Sequence, residues 1–446
     1  MKHFALLILF SLKGFYSYSQ VNTLSLEEAI HYTLDQNFEI KIERMNLQDA
    51  EQQNTWGNAG RYPQVQLQSS NNLQYQYSSP ASPFALEGKS SNNSINLGLS
   101  GQWVLYNGFN VSIRKEQFEK LEERARWQLL YEMEEQIDQV VQSYYMVQYE
   151  NEKLKVLERI LKLSRDKLET TELHNKVGAG SQFELARDQT TFYTDSTNYI
   201  DQKLVCENAQ RDLNFLMGIE AIDQQYQLTD PLSITPIHFN YEELYDKMNT
   251  YNSSLQAQKI NVYLQENNYQ QNKNLKSITL MADMSYSGNT NWYTADMPQL
   301  EGGFKEETNR GFGYGQTIGL TLSVPIYNGG KNNRQIQSAI IKKEQAQIEM
   351  DRVELYLKKE FTKSYKEYQN AIRKVELSKE SLNAAEKNLV LSQKQLEQGT
   401  ITTFEFRQVQ NSFLNSSLNL FNAQFVLIQS HVALLRVSGQ LISNFQ

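Results

Sequence analysis

Cysteine occurs once in these 446 residues, at Cys206 within a helix-like pattern, which excludes a disulfide framework and paired-thiol chemistry. Proline is nearly as scarce, at 7 residues, and with 40% hydrophobic and 21% charged residues this favours a folded, helix-rich chain over a disordered one. Basic residues are outnumbered, 43 against 51 acidic, for a formal charge of −8, so no basic surface advertises nucleic acid as a partner. No run of about 18 apolar residues is present to hide a membrane-spanning helix, so any insertion into a bilayer must use strands. Gly-rich phosphate loops, G-x-S-x-G and H-E-x-x-H are all missing. The histidines, His3, His31, His174, His238 and His431, share no ligand spacing. These absences predict no enzyme, no catalytic, cofactor-binding or metal-binding residues, and no cofactor.

What is present begins with an export signal. Residues 1–20 combine Lys2 and His3, the apolar stretch Phe4 to Phe10, and small or polar residues around Ser17 and Ser19, the pattern of a secretory signal peptide. No cysteine lies near the expected cleavage site, so no lipid acylation is expected.

The dominant feature of the mature chain is the stretch from Leu105 to Gly180. It opens with Leu105-Tyr106-Asn107-Gly108, then continues without Pro or Gly to Gly178-Ala179-Gly180. Its apolar positions step by threes and fours through Phe118, Leu121, Ala125, Leu129, Met133, Ile137, Val140, Tyr144 and Val147 to Leu154, Leu157 and Leu161. Such a one-faced helix is roughly 100 Å long at 1.5 Å rise per residue, and its period near 3.5 predicts packing in coiled-coil fashion.

The chain is also duplicated. Tyr106-Asn107-Gly108 reappears 221 positions later as Tyr327-Asn328-Gly329. The same offset carries Gly178, Phe183, Glu184, Gln189, Phe192, Asn198 and Gly218 onto Gly399, Phe404, Glu405, Gln410, Phe413, Asn419 and Gly439. Upstream, at an offset of 215, Asn37 and Ile40 face Asn252 and Leu255. Two repeats are expected, 21–235 and 236–446. Each reads as a helix (from the capping-box start Ser25-Leu26-Glu27-Glu28 to about Asn58, and about 241 to 274), two strands, a long helix (about 108 to 177 and 329 to 398) and a shorter helix (about 181 to 217 and 402 to 438). The two shorter helices laid end to end match the long one, so each repeat can form a hairpin with the glycine turn at one tip and the strands at the other end.

The strands alternate with period two. Ile318, Leu320, Leu322, Val324 and Ile326 share one face while Thr317, Gly319, Thr321 and Ser323 share the other; Val65 and Leu67, the set Ile95, Leu97 and Leu99, and the set Ile278, Leu280, Ala282 and Met284 behave likewise. A soluble sheet would set that apolar face on a core. Segments of about 10 residues in an exported chain, joined by long Ser-, Asn-, Gly- and Tyr-rich loops (Ser78 to Asn93, Ser287 to Gly315), favour a membrane barrel instead. Four strands cannot close a barrel and open edges are not tolerated in lipid, so copies must share one; three copies give twelve strands and twelve helix columns.

At this point the chain resembles the TolC-like outer-membrane efflux proteins (the outer membrane factors). The resemblance rests on Leu24-Ser25-Leu26-Glu27-Glu28-Ala29-Ile30, Asn37-Phe38-Glu39-Ile40, Gly60-Arg61-Tyr62-Pro63-Gln64, the junctions Trp103 to Gly108 and Val324 to Gly330, and the tips beginning at Gly178 and Gly399. It implies an α+β membrane protein: a homotrimer with a 12-stranded outer-membrane β-barrel, four strands per protomer, continuous with a long α-helical periplasmic barrel. It further implies a passive exit duct for efflux or type I secretion, a periplasmic adaptor and an inner-membrane RND or ABC transporter as partners, outer membrane lipid around the barrel, and a large periplasmic portion. A soluble periplasmic coiled-coil adaptor or scaffold is the alternative.

Both tips carry S/T-x-x-E, Ser181 to Glu184 and Thr402 to Glu405, the sequence of a capping box. Under threefold symmetry Glu184 and Glu405 also form carboxylate rings, favouring cations at a narrow end. By resemblance this tip is the closed aperture and the adaptor's dock, and Glu405 falls where relatives carry a constricting acid. One turn on, Arg187 and Gln408 stand where a second acidic ring would need carboxylates, and Leu396 and Ile401 offer no polar link. Gly178 and Gly399 are expected as backbone turns. The candidate gate and adaptor tip is therefore Gly178, Glu184, Arg187, Gly399, Glu405 and Gln408.

Overall fold

A computed structural model describes residues 22–79, 88–298 and 303–444; the expected signal peptide lies outside the described residues. The chain runs β1 (Thr23–Leu24), α1 (Leu26–Gln36), α2 (Phe38–Gln53), β2 (Gln64–Ser78), β3 (Gly88–Tyr106), α3 (Asn110–Lys176), α4 (Gln182–Leu216), β4 (Gln227–Leu228), α5 (Tyr241–Tyr251), α6 (Ser253–Lys273), β5 (Thr279–Pro298), β6 (Phe304–Ser323), α7 (Lys331–Glu397) and α8 (Thr403–Val437). The duplication is metric: α3 and α7 each hold 67 residues, α4 and α8 each hold 35. The described residues gather into two compact units. One holds the residues up to Lys41, Glu132–Asn252 and Lys358 onward; the other holds Ile42–Tyr131 and Ser253–Leu357.

The first unit is built on helix packing. In its main core Ile137, Val140, Val141, Tyr144 and Val147 of α3 meet Leu213 of α4 and Met217 just past its end, Phe425, Ile428 and Val432 of α8, and Leu24, Ala29 and Ile30 from the N-terminal segment. A second core joins Val156 and Ile160 of α3 to Leu389 of α7 and to Phe406 and Phe413 of α8. Among the described helices α8 alone is long and apolar enough to cross a bilayer, but its apolar residues serve these two cores.

The repeat is also written in hydrogen bonds. The hydroxyl of Tyr144 donates to the carbonyl of Leu24, and that of Tyr365, 221 positions on, donates to the carbonyl of Phe239. The Asn37 amide donates to the Leu216 carbonyl and the Asn252 amide to the Val437 carbonyl. These asparagines correct the expectation of one continuous first helix in each repeat. Asn37 sits between α1 and α2 with an extended backbone (φ −57°, ψ 136°), and its Oδ1 accepts from the amides of Glu39 and Ile40, capping the helix that follows. Asn252 interrupts α5 and α6 in the same way, at φ −63° and ψ 116°. Gly218, at φ +70°, lies so close to the break that an added Cβ would stand 2.7 Å from the Gln36 carbonyl oxygen, and Gly439 repeats this against Tyr251 at 2.6 Å. The Ser25–Glu28 capping box is present as expected, with Glu28 accepting from the Ser25 amide at 2.8 Å.

The second unit centres on an antiparallel sheet in the order β2-β3-β5-β6. Its strands hold 15, 19, 20 and 20 residues, longer than expected, and run through most of the stretches read as loops; residues 80–87 and 299–302 lie outside the described residues. Pairing register supplies the reason. Cross-strand rows on one face run from Tyr106–Leu280–Leu322 through Val65–Gly101–Met284–Ile318 to Asn71–Ile95–Thr290–Phe312. Beyond Phe312 the rows become Leu73–Asn93–Trp292–Arg310 and then Tyr75–Ser91–Thr294–Thr308, polar enough for water while keeping the ladder paired. The ten steps from Leu322 to Phe312 cover about 33 Å along the strand, which at the tilt near 40° usual for strands of membrane barrels would project to about 25 Å, the height of such a barrel's apolar band. Trp103 and Tyr106 mark one end of this band, and Trp292, Phe312 and Tyr314 the other. The opposite face carries Gln64, Gln66, Gln102, Ser285, Thr317 and Thr321, with Thr321 donating to Asp283 at 3.2 Å.

Candidate functional site

Both helix turns of the first unit close with one hydrogen-bond pattern. Gly178 N–H donates to the Asn175 carbonyl and Ala179 N–H to that of His174; Gly399 N–H donates to the Leu396 carbonyl and Thr400 N–H to that of Gln395. Gly178 and Gly399 hold φ of +77° and +70°, and an added Cβ would meet nothing within 4 Å at either. Conformation, not space, therefore requires glycine there.

The caps differ. Thr402 and Glu405 form a full capping box: the Thr402 amide donates to Glu405 Oε2 at 2.7 Å, and the Glu405 amide to Thr402 Oγ1 at 3.2 Å. The Thr402 amide, and next its hydroxyl, hold the Glu405 carboxyl below its ordinary value. At the other tip Ser181 Oγ accepts from the Phe183 amide at 3.3 Å, one residue short of Glu184, and Glu184 returns no bond, so a single cap bond stands in place of the expected box. Gly180 is the physical difference: a Cβ there would lie 2.7 Å from the Asn175 amide nitrogen, whereas the equivalent Ile401 packs against the second core.

Above the turns lies a set of buried polar residues that periodicity in apolar residues alone did not single out. Asp188, Asp195 and Gln202 follow one another at seven-residue intervals along α4, each buried at 4% exposure. Across the hairpin Thr171 Oγ1 donates to Asp188 at 2.8 Å, the Ser164 hydroxyl donates to Asp195, and Gln202 donates to the Glu150 carboxylate at 2.6 Å. The equivalent positions in the second hairpin are Val409, Ser416 and Ala423. Only the first hairpin therefore carries this ionisable seam, and the heptad spacing of its acids is the signal that finds it. Arg407 of α8 reaches across to clasp Asp195 through both terminal nitrogens, at 2.6 and 2.8 Å. Arg187 pairs with Asp188 at 3.2 Å. A cavity of about 220 Å³ opens beside them, lined by α3, α4 and α8. Of the six expected tip residues this cavity takes in Arg187 alone; Gln408, one turn from Glu405, is exposed.

A sequence model of the outer membrane efflux protein family matches residues 29–219 and 244–440, which is most of the chain and both repeats. The chain belongs to that family. It is 25% identical over 139 residues to the outer membrane efflux protein BepC of Brucella suis, covering 31% of this chain and 30% of that protein. It is 21% identical over 308 residues to the proteases secretion protein PrtF of Dickeya chrysanthemi, covering 67% of this chain and 63% of that one. The matches thus span less than two thirds of either relative. The fold aligns with the CmeC outer membrane channel of Campylobacter jejuni at a TM-score of 0.70, with 14% identity over 93% of this chain and 86% of that one.

As an outer membrane efflux family member the protein is located in the outer membrane of a Gram-negative cell with a periplasmic portion. Its tip departs from a pair of symmetric acidic turns. Glu405 is committed to capping α8, Glu184 is exposed without that bond, and Arg187 is drawn into the hairpin by Asp188.

Proposed function

We propose that the protein is the exit duct of a tripartite efflux or type I secretion assembly, working as a homotrimer with a periplasmic adaptor and an inner-membrane RND or ABC transporter. One observation carries this reading: a four-stranded sheet with an apolar band of bilayer height whose two outermost strands, β2 and β6, pair with no other strand among the described residues. Lipid does not tolerate open edges, so copies of the chain must complete the sheet. The edge strands β2 and β6 run antiparallel to each other, so β6 of one copy can pair with β2 of the next without breaking the alternation. Three copies reach twelve strands, with the polar rows of Gln, Ser and Thr facing a wet lumen. A soluble scaffold would leave Ile318, Leu320 and Phe312 in water. The names of BepC and PrtF, efflux and protease secretion, span both kinds of cargo.

The paired turns form the gate and the adaptor dock in this reading, with Gly178 and Gly399 shaping the backbone and Glu184 and Glu405 repeated around the axis. Energy comes from the partners. The test is recovery of heat-resistant trimers from the outer-membrane fraction that conduct ions in planar bilayers; a soluble periplasmic monomer would overturn the proposal.

A further inference from the structure

The cavity between α3, α4 and α8 has an unbalanced set of charges. Arg407 spends both terminal nitrogens on Asp195. Arg187 gives its Nε to Asp188, while its Nη2 is buried and meets no acceptor among the described residues. Lys167, half-buried on α3, enters no ion pair among the described residues. Asp188 is the only carboxylate among the lining residues, against three cations. A buried guanidinium nitrogen with no acceptor is costly, and an incoming anion relieves that cost. The mouth is apolar: Phe404, at the start of α8, is 74% exposed beside Leu163. The volume, about 220 Å³, falls short of the roughly 300–1,000 Å³ of pockets for drug-sized molecules and suits a single side chain.

We propose that this cavity receives the carboxylate of an Asp or Glu presented by a helix of a protein partner, with Arg187 Nη2 and Lys167 donating to it and Phe404 packing against the partner's neighbouring apolar residue. The inference rests on the reading of this tip as a partner dock and adds the chemistry the dock selects. Charge complementarity fixes the specificity: an amide in place of the carboxylate leaves Lys167 without a counter-charge and gives Arg187 Nη2 only a neutral acceptor. The second hairpin cannot duplicate the site. The counterparts of Asp188 and Arg187 are Val409 and Gln408, so one protomer offers one such receptor.

The test uses the full-length protein purified as its detergent-solubilised oligomer and two labelled helical peptides that differ only in a central Glu or Gln flanked by leucines. Fluorescence anisotropy should show the Glu peptide binding at least tenfold more tightly. Arg187→Gln and Lys167→Gln should each erode the preference and together abolish it. Arg187→Lys keeps a cation for Asp188 but loses the free nitrogen, and should give an intermediate value that guards against loss by misfolding. Equal binding of the two peptides, or a preference that survives the double variant, overturns the proposal. So does displacement of the Glu peptide by butyrate or inorganic phosphate at the peptide's own concentration, which would make the cavity a free-anion site. Planar-bilayer conductance of the same preparations reports separately on the duct: normal conductance with no peptide preference removes the receptor and leaves the duct standing.

Discussion

At the scale of single residues, the two tip glutamates separate roles that their sequences suggest are shared. Glu405 is tied to Thr402 by a reciprocal pair of bonds, so replacing it removes a charge and a cap together. Glu184 makes no such pair, so Glu184→Gln removes charge alone. If the trimer places three copies of each around a narrow aperture, Glu184→Gln should lower the cation-to-anion permeability ratio of single channels about two- to threefold. Reversal potentials in a salt gradient measure this, and an unchanged ratio would remove Glu184 from any part in selectivity. His431 of α8 offers a second residue-level prediction. Its ring stacks on Phe239 at 5.6 Å and lies 5.5 Å from Tyr368, with Nδ1 buried and without a partner among the described residues. Burial pushes its pKa below the ordinary 6.5. Above that value the imidazole is neutral in folded and unfolded chains alike and stability does not depend on it. As pH falls through about 6.5 the unfolded chain takes up a proton that the folded one refuses, so stability drops until the folded pKa is reached. His431→Phe, which keeps an aromatic ring in the box, should therefore flatten the fall in melting temperature between pH 7 and pH 5 by a few degrees, read by circular dichroism. Parallel pH profiles for the two proteins would exclude this role.

Between elements, the decisive contact is the clasp of Arg407 on Asp195, which joins α8 to α4. Removing one partner of a buried ion pair costs about 3–5 kcal/mol, and the Arg407 side chain, 30% exposed against 4% for Asp195, sets this pair at the low end. Asp195→Ala should lower unfolding stability by about 3 kcal/mol. The double change Asp195→Leu with Arg407→Met should recover most of it, because packed apolar groups replace a charge pair at little net cost. Denaturant unfolding in detergent decides the matter, and simple addition of the two single losses would show that the pair does not act as a unit. The sequence disclosed the elements far better than these contacts. Apolar steps of three and four fixed α3 and α7 to within two residues of their ends, because one-faced helices announce themselves over many turns. The break at Asn37 stayed hidden because the apolar stripe runs across it while a single side chain caps the next helix. The strands came out too short because apolar alternation reports only the extent of the apolar band, and the paired backbone ladder continues past Phe312 into rows of polar residues. At the tip, Arg187 was legible from its place one turn past Glu184, but Asp188, Asp195 and Arg407 were not. Their meaning depends on a seven-residue spacing of acids facing hydroxyls on another helix, a pattern that a search for apolar faces passes over.

For the whole molecule, the membrane reading depends on which face of the sheet meets lipid, and neighbouring residues on β6 decide it. Ile318, 80% exposed, shares its row with Met284 and Val65 in the apolar band, whereas Thr317 points to the side of Ser285 and Gln66. An arginine near the bilayer midplane on a lipid face costs about 2–4 kcal/mol per site, and the proposed trimer would repeat that cost three times over. Ile318→Arg should therefore cut the yield of heat-resistant trimer in the outer-membrane fraction at least tenfold. Thr317→Arg, one residue away but on the face that the proposed barrel turns to its lumen, should insert normally, and by adding three cations to that lumen it should shift single-channel selectivity toward anions. The pair separates the barrel from a soluble sheet in one experiment. If the apolar face instead covered a protein core, Ile318→Arg would unfold the second unit and expose it to proteolysis without any change in membrane partitioning, and Thr317→Arg would leave no trace in conductance. Normal insertion of the Ile318 variant would mean that this face does not meet lipid, and closure of β2 against β6 between copies would lose its physical cause.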